Sequence, residues 1–197
     1  GKSSGGYGAL VQAMRHPEVF GAAACHSGDL YFEFCYLGDI ACLHANIASY
    51  GGWEKLRDSI ETIRPKSTTF YKTVGTLAYG MAYAPNPGAP DGFDMPIDMD
   101  TGALDEVVWA RWLAHDPLRM IDRPEYADAL RQSKLLYIDC GERDEFNLQV
   151  GARLFTGKLD ALGIAYHYEE FPDGHFGIHY RYDTSLPMLS KVLQPPS

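Results

Sequence analysis

Gly1-Lys2-Ser3-Ser4-Gly5 constrains the fold of this chain more than any other segment. The pattern is G-x-S-x-G, the signature of a sharp turn from a strand into a helix with the serine at its tip in a strained backbone conformation. Flanking glycines carry no Cβ, so strand and helix can approach closely. Gly6 and Gly8 are expected to keep the first helical turn thin. The run Ala9-Leu10-Val11-Gln12-Ala13-Met14 continues the helix, and His16-Pro17 ends it. The strand that such a turn requires would precede Gly1, so the chain is expected to enter its fold in the middle.

Taken alone, the five residues also fit a flexible Gly/Ser-rich terminus. A third option is the tail of a phosphate-binding loop, G-x-x-x-x-G-K-[ST]. Leu135-Leu136-Tyr137-Ile138-Asp139 would then be a strand ending in a magnesium-binding aspartate. The remaining segments separate these alternatives.

A length of 197 residues suits one domain or most of one, and 46% apolar residues suffice for a core. The net charge of −9 is spread along the chain and argues against a nucleic-acid partner. No stretch approaches the roughly 20 apolar residues of a membrane span. Cys25, Cys35, Cys42 and Cys140 lack metal-type spacing and are expected as buried free thiols. With no H-E-x-x-H and no Cys/His cluster, no metal is expected.

Along the chain, Phe20 to Gly28 predicts a short buried strand ending in a turn, built of small residues that suit packing between helices. Residues 29–128 form a long mixed insertion, expected to be lid-like within a single domain spanning 1–197. Within it, the spacing of Trp53, Leu56, Ile60 and Ile63 predicts a helix over 50–64. Further helices are expected over 68–81, 104–115 and 124–132, with a Pro/Gly/Asp-rich loop over 84–102. The last 65 residues then read strand (134–139), helix (147–162, stopped at Gly163), strand (165–171) and helix (186–193). That alternation predicts an α/β fold with about three strands in a mostly parallel sheet.

In such sheets function collects at the carboxyl ends of the strands. Cys140-Gly141-Glu142-Arg143-Asp144-Glu145-Phe146 follows one strand, and Pro172-Asp173-Gly174-His175-Phe176-Gly177 follows the next. Ser3, Asp144 and His175 therefore fit the order serine, acid, histidine at successive strand ends. A serine hydroxyl needs a base within reach, which His175 supplies; Asp144 would orient the imidazole. Asp139, Glu142, Glu145 and Asp173 are rival acids. The backbone N–H of Ser4 would point at a developing oxyanion.

These residues carry a resemblance. Gly1-Lys2-Ser3-Ser4-Gly5-Gly6-Tyr7-Gly8-Ala9-Leu10, His16-Pro17-Glu18-Val19-Phe20-Gly21, Ser27-Gly28, Gly141-Glu142-Arg143-Asp144-Glu145-Phe146 and Asp173-Gly174-His175 span the chain in order. Together they resemble the esterase-D, feruloyl-esterase and enterochelin-esterase-like group of α/β-hydrolases, which includes the mycolyltransferases. The phosphate-binding alternative would leave the His175 segment unexplained. The resemblance implies a serine esterase or acyltransferase acting on a small-molecule ester, without metal or organic cofactor. It also implies that the chain is the C-terminal part of the fold, starting at the nucleophile elbow. Its open sheet edge would then be covered by the missing N-terminal half or by a second copy in a homo-oligomer; an inactive module associating through that edge is the non-enzymatic alternative. Phe146 and Phe176 flank the proposed acid and histidine and are candidates to touch substrate. Trp109, in the insertion, is a further candidate, against the plainer alternative of a core residue.

Overall fold

Leu136, Ile138 and Cys140 alternate with Tyr137 and Asp139, a period of two that sends the two sets to opposite faces of a strand. In the computed structural model, which describes residues 1–194, this run is the central strand of a three-stranded parallel sheet. The elements in chain order are α1 (Ser4–Arg15), β1 (Ala23–His26), α2 (Phe32–Ser49), α3 (Trp53–Ser59), α4 (Thr68–Tyr83), α5 (Glu106–Leu113), α6 (Pro117–Met120) and α7 (Pro124–Arg131). They continue with β2 (Leu136–Gly141), α8 (Leu148–Leu162), β3 (His167–Phe171), a 3₁₀ helix (Ile178–Arg181) and α9 (Tyr182–Leu193). The strand order is β1-β2-β3, and the register pairs His26 with Asp139 and Asp139 with Glu169. The fold is α/β, as the alternation of strands and helices predicts.

The chain divides into two compact units. The first comprises Gly1–Cys35 and the chain from Asp116 onward. Its apolar core gathers Leu10, Val11 and Met14 of α1, Leu130 of α7, and Phe155 and Leu159 of α8 with Cys25, Leu136, Ile138 and Cys140 of the strands. Lys2 forms a parallel bridge with His26, so the residues entering the elbow run alongside β1. All four cysteines are free; Cys25 and Cys140 are buried, Cys35 is partly buried and Cys42 is exposed. The expectation of buried thiols therefore fails at Cys42.

The second unit, Tyr36–His115, is built on an aromatic core. Trp112 is fully buried, with ring centroids of Tyr83 at 5.4 Å, Trp109 at 5.9 Å and Tyr36 at 6.1 Å. Ser67 caps α4 by accepting the Phe70 N–H, and Asp105 caps α5 by accepting those of Val107 and Val108. The expected loop over 84–102 is tied by antiparallel bridges, Pro85 to Phe93 and Ile97 to Leu104.

Two departures from the sequence-based expectations have clear causes. The long helix α2 went unpredicted. Its buried residues Phe32, Tyr36, Ile40, Leu43 and Ile47 keep a 3–4 spacing, but Phe34, Leu37, Cys42 and several alanines on the other faces mask the stripe. The helix expected over 50–64 contracts to Trp53–Ser59. It starts behind Gly51 and Gly52, both at positive φ, and only Leu56 within it is fully buried.

Asp116 is the buried joint at the start of α6. Its Oδ1 accepts the Leu118 N–H at 2.9 Å and its Oδ2 accepts the Phe32 N–H at 3.1 Å. Burial pushes its carboxyl up to about 7, with Glu33 adding to the rise, and the two N–H donors and Arg119 opposing it. A carboxyl raised on folding stabilises the native state fully below its unfolded value, and that contribution is lost as pH rises through the folded value. Urea unfolding of the wild type and Asp116→Asn, compared between pH 4 and pH 8, should show the wild type losing stability relative to the variant across this window. At about 1.4 kcal/mol per unit the difference is at most roughly 4 kcal/mol.

Candidate active site

Ser3 sits at φ 57° and ψ −131°, in the region that L-residues rarely occupy. The conformation is held from both sides. The Ser3 N–H donates to the His26 carbonyl at 2.8 Å, and the His26 N–H donates to the Gly1 carbonyl at 2.9 Å. The Ser3 carbonyl accepts the Tyr7 N–H as the first turn of α1 closes. Close approach is carried by Gly1 and Gly6. A Cβ on Gly6 would stand 3.0 Å from the His26 carbonyl oxygen, and one on Gly1 would stand 2.1 Å from that of Gly5. Gly5 and Gly8 have open space, so the steric role expected of them belongs to their neighbours. As the first residue of α1, Ser4 has an N–H without an intrahelical acceptor. Its hydroxyl donates to Asp29 at 3.0 Å.

Asp144 and His175 lie on the loops after β2 and β3, and the structure brings both to Ser3. The His175 ring is buried, with Nδ1 2.8 Å from Asp144 Oδ2 and Nε2 3.1 Å from Ser3 Oγ. A carboxylate only accepts, so in the neutral imidazole this geometry assigns the proton to Nδ1 and leaves the Nε2 lone pair facing the Ser3 hydroxyl. Asp144 is buried; its Oδ1 accepts the Phe146 N–H at 2.9 Å, and the Cys140 thiol approaches Oδ2 at 3.9 Å.

The rival acids have other partners. Glu145 Oε2 accepts the backbone N–H of His175 at 2.5 Å, and Asp139 binds His26. Asp173 accepts from Gly174 N–H and the Tyr180 hydroxyl, while Glu142 is exposed. The clamp that Glu145 places on the histidine loop has no signature in the sequence, because it depends on two loops meeting.

The acid and histidine loops are zipped together. The Glu142 N–H donates to Phe171 and the Arg143 N–H to Asp173, and the Arg143 guanidinium donates to the Pro172 carbonyl. Gly141 lies beneath this contact, where a Cβ would stand 2.4 Å from the Gly174 carbonyl oxygen. Phe146 and Phe176 flank the His175 ring edge-on, at 4.8 and 5.3 Å, and are 38% and 65% exposed, which leaves apolar surface open beside the histidine. Lys2 extends its ammonium over the Phe176 ring at 5.6 Å. Trp109 belongs to the second unit, where it is nearly buried and packs on Trp112, a core environment.

The buried cysteines are poor alternative nucleophiles. Burial pushes the Cys25 thiol up to about 12 and that of Cys140 further, so neither supplies a thiolate nucleophile near neutral pH. A cavity of about 470 Å³ in the second unit is lined by Trp53, Leu77, Phe93, Met95, Met99 and Val108 among others, with no serine, cysteine or histidine. Among the described residues no group of three or more His, Cys, Asp or Glu could hold a metal ion, and no helix is long and apolar enough to cross a membrane.

The family described as "Putative esterase" matches residues 1–184. The chain belongs to that family, within the α/β-hydrolase superfamily. A solved structure described as a ferulic acid esterase aligns with a TM-score of 0.52 at 15% identity, over 98% of this chain and 50% of that one. At that identity the likeness is one of fold, and the chain spans half the length of that structure. No curated protein matches the sequence.

Gly141→Ala should displace the histidine loop, because the atoms in the way are backbone. Overpacking of this kind costs roughly 1–3 kcal/mol. Chemical denaturation should register that loss, and the His175 imidazole resonances in NMR spectra should shift.

Proposed function

We propose that this chain carries the site of a serine esterase that cleaves small-molecule carboxylic esters through an acyl-enzyme intermediate. The observation that carries this reading is the double engagement of His175, with Asp144 on Nδ1 and Ser3 on Nε2. Membership of the esterase family supports the same chemistry.

In this reading Ser3 Oγ attacks the ester carbonyl carbon as its proton passes to His175 Nε2. Asp144 holds the tautomer and stabilises the imidazolium that forms. The carbonyl oxygen gains negative charge and is met by the Ser4 N–H at the positive end of α1. Collapse of the tetrahedral species expels the alcohol, which takes its proton from His175. A water molecule, deprotonated by the same nitrogen, then releases the acid and restores Ser3. The chemistry calls for no metal and no organic cofactor. Phe146 and Phe176 would form apolar walls for the substrate beside the imidazole.

The test is mass-spectrometric mapping of a fluorophosphonate adduct, with hydrolysis of a p-nitrophenyl ester as a parallel assay. A stoichiometric adduct on Ser3 is expected, abolished in Ser3→Ala and His175→Ala. Asp144→Asn should cost about 10⁴-fold in kcat by loss of the productive tautomer. An unlabelled Ser3 in folded protein would refute the reading.

A further inference from the structure

The polar face of the sheet holds a second Ser–His–Asp arrangement. His26, Asp139 and Glu169 form one register row across β1, β2 and β3. His26 Nδ1 lies 2.8 Å from Asp139 Oδ1, and its Nε2 lies 2.8 Å from the Ser185 hydroxyl on α9. Asp139 Oδ2 also accepts from the Tyr137 hydroxyl and from Arg181 Nε, both at 2.9 Å. Arg181, on the 3₁₀ helix, donates further to Tyr137 and to Glu169 and lies over the Phe171 ring at 4.5 Å. Tyr182 closes the His26 ring edge-on.

This arrangement has no catalytic access. Ser185 is 0% exposed inside a helix, and the Asp139 charge is matched by the Arg181 guanidinium. Its placement indicates a mechanical role. The His26 main chain brackets the strained elbow, accepting from the Ser3 N–H and donating to the Gly1 carbonyl. Asp139 lies on the strand that leads to Asp144, and its carbonyl accepts the Ser27 N–H. Arg181 and Ser185 lie on the two elements that follow the His175 loop. The network therefore bonds to the Ser3 segment through the His26 main chain, and it also ties down β2 and the 3₁₀ helix–α9 segment, the elements that precede the Asp144 loop and follow the His175 loop. A buried polar network with its partners satisfied is directional and rigid in a way that apolar packing is not.

We infer that His26, anchored by Asp139 and Ser185, is a positioning residue that holds Ser3 in its reactive conformation. The inference rests on the assignment of Ser3 as the nucleophile for its effect on rate, and on geometry alone for its effect on the elbow. His26→Asn keeps a donor toward Asp139 and loses the reach to Ser185, and Ser185→Ala removes the same anchor from the other side. Both are to be compared with the wild type by hydrogen–deuterium exchange resolved to the Ser3 amide, and by the rate of fluorophosphonate labelling, well below their melting temperatures.

In whichever variant folds, exchange at the Ser3 amide should rise about tenfold while the amides of α8 stay as protected as before. Labelling should slow by on the order of 10²-fold, the scale set by displacements near 1 Å. Unchanged exchange at the elbow in a folded variant would overturn the inference. A rise spread evenly over the sheet would overturn it too, since that marks global loosening. Absence of labelling in the wild type together with faster elbow exchange in the variants would sink the esterase reading and leave the positioning role standing.

Discussion

The hydrogen bond from the Ser3 N–H to the His26 carbonyl is the contact on which the site depends. Ser3 occupies a backbone conformation that costs on the order of 1–3 kcal/mol and persists only when its surroundings over-determine it. They do so here through both main-chain polar groups of His26, the closing first turn of α1, and the absence of a Cβ on Gly1 and Gly6. The strain turns the hydroxyl outward toward His175 and leaves the Ser4 N–H at the mouth of the helix. Relaxation of the elbow would separate the hydroxyl from the imidazole without changing a single side chain.

The two Ser–His–Asp arrangements share residue types and distances and differ in their surroundings. Ser3–His175–Asp144 and Ser185–His26–Asp139 have nearly the same spacings. Environment separates them. His175 sits under two partly exposed phenylalanines beside a helix N-terminus, with a carboxylate that has no cationic partner among its hydrogen bonds. His26 is sealed beneath α9, and its aspartate is shared with an arginine and a tyrosine. Open apolar surface and the N-terminal N–H groups of α1 lie beside the first arrangement. Enclosure and full hydrogen bonding make the second a brace.

Much of the fold was legible because it rests on local signals. The strand over 134–139, the helix over 147–162 stopped at Gly163, which sits in the left-handed region, and the glycine-bounded serine are each read from a few neighbouring residues and fall within a residue or two of the observed elements. Legibility failed where faces were ambiguous. The stripe of α2 was hidden by apolar residues on its remaining faces, and α9 begins at Tyr182 although Pro187 invites a later start. Among the acids, Asp144, Glu145 and Asp139 are close in sequence and chemically alike, and only the meeting of the two loops separates their partners.

From its sequence alone the chain specified a parallel α/β sheet with a serine elbow and with an acid and a histidine at successive strand ends, because turn sterics and strand alternation act over a few residues. Tertiary structure decided which acid faces His175, that Glu145 grips the histidine loop by its backbone, and that His26, Asp139, Arg181 and Ser185 form one buried network. Each of these is a contact between segments distant along the chain. Such contacts follow from how the sheet registers and how its loops pack, and neither is encoded in the spacing of residues within one segment.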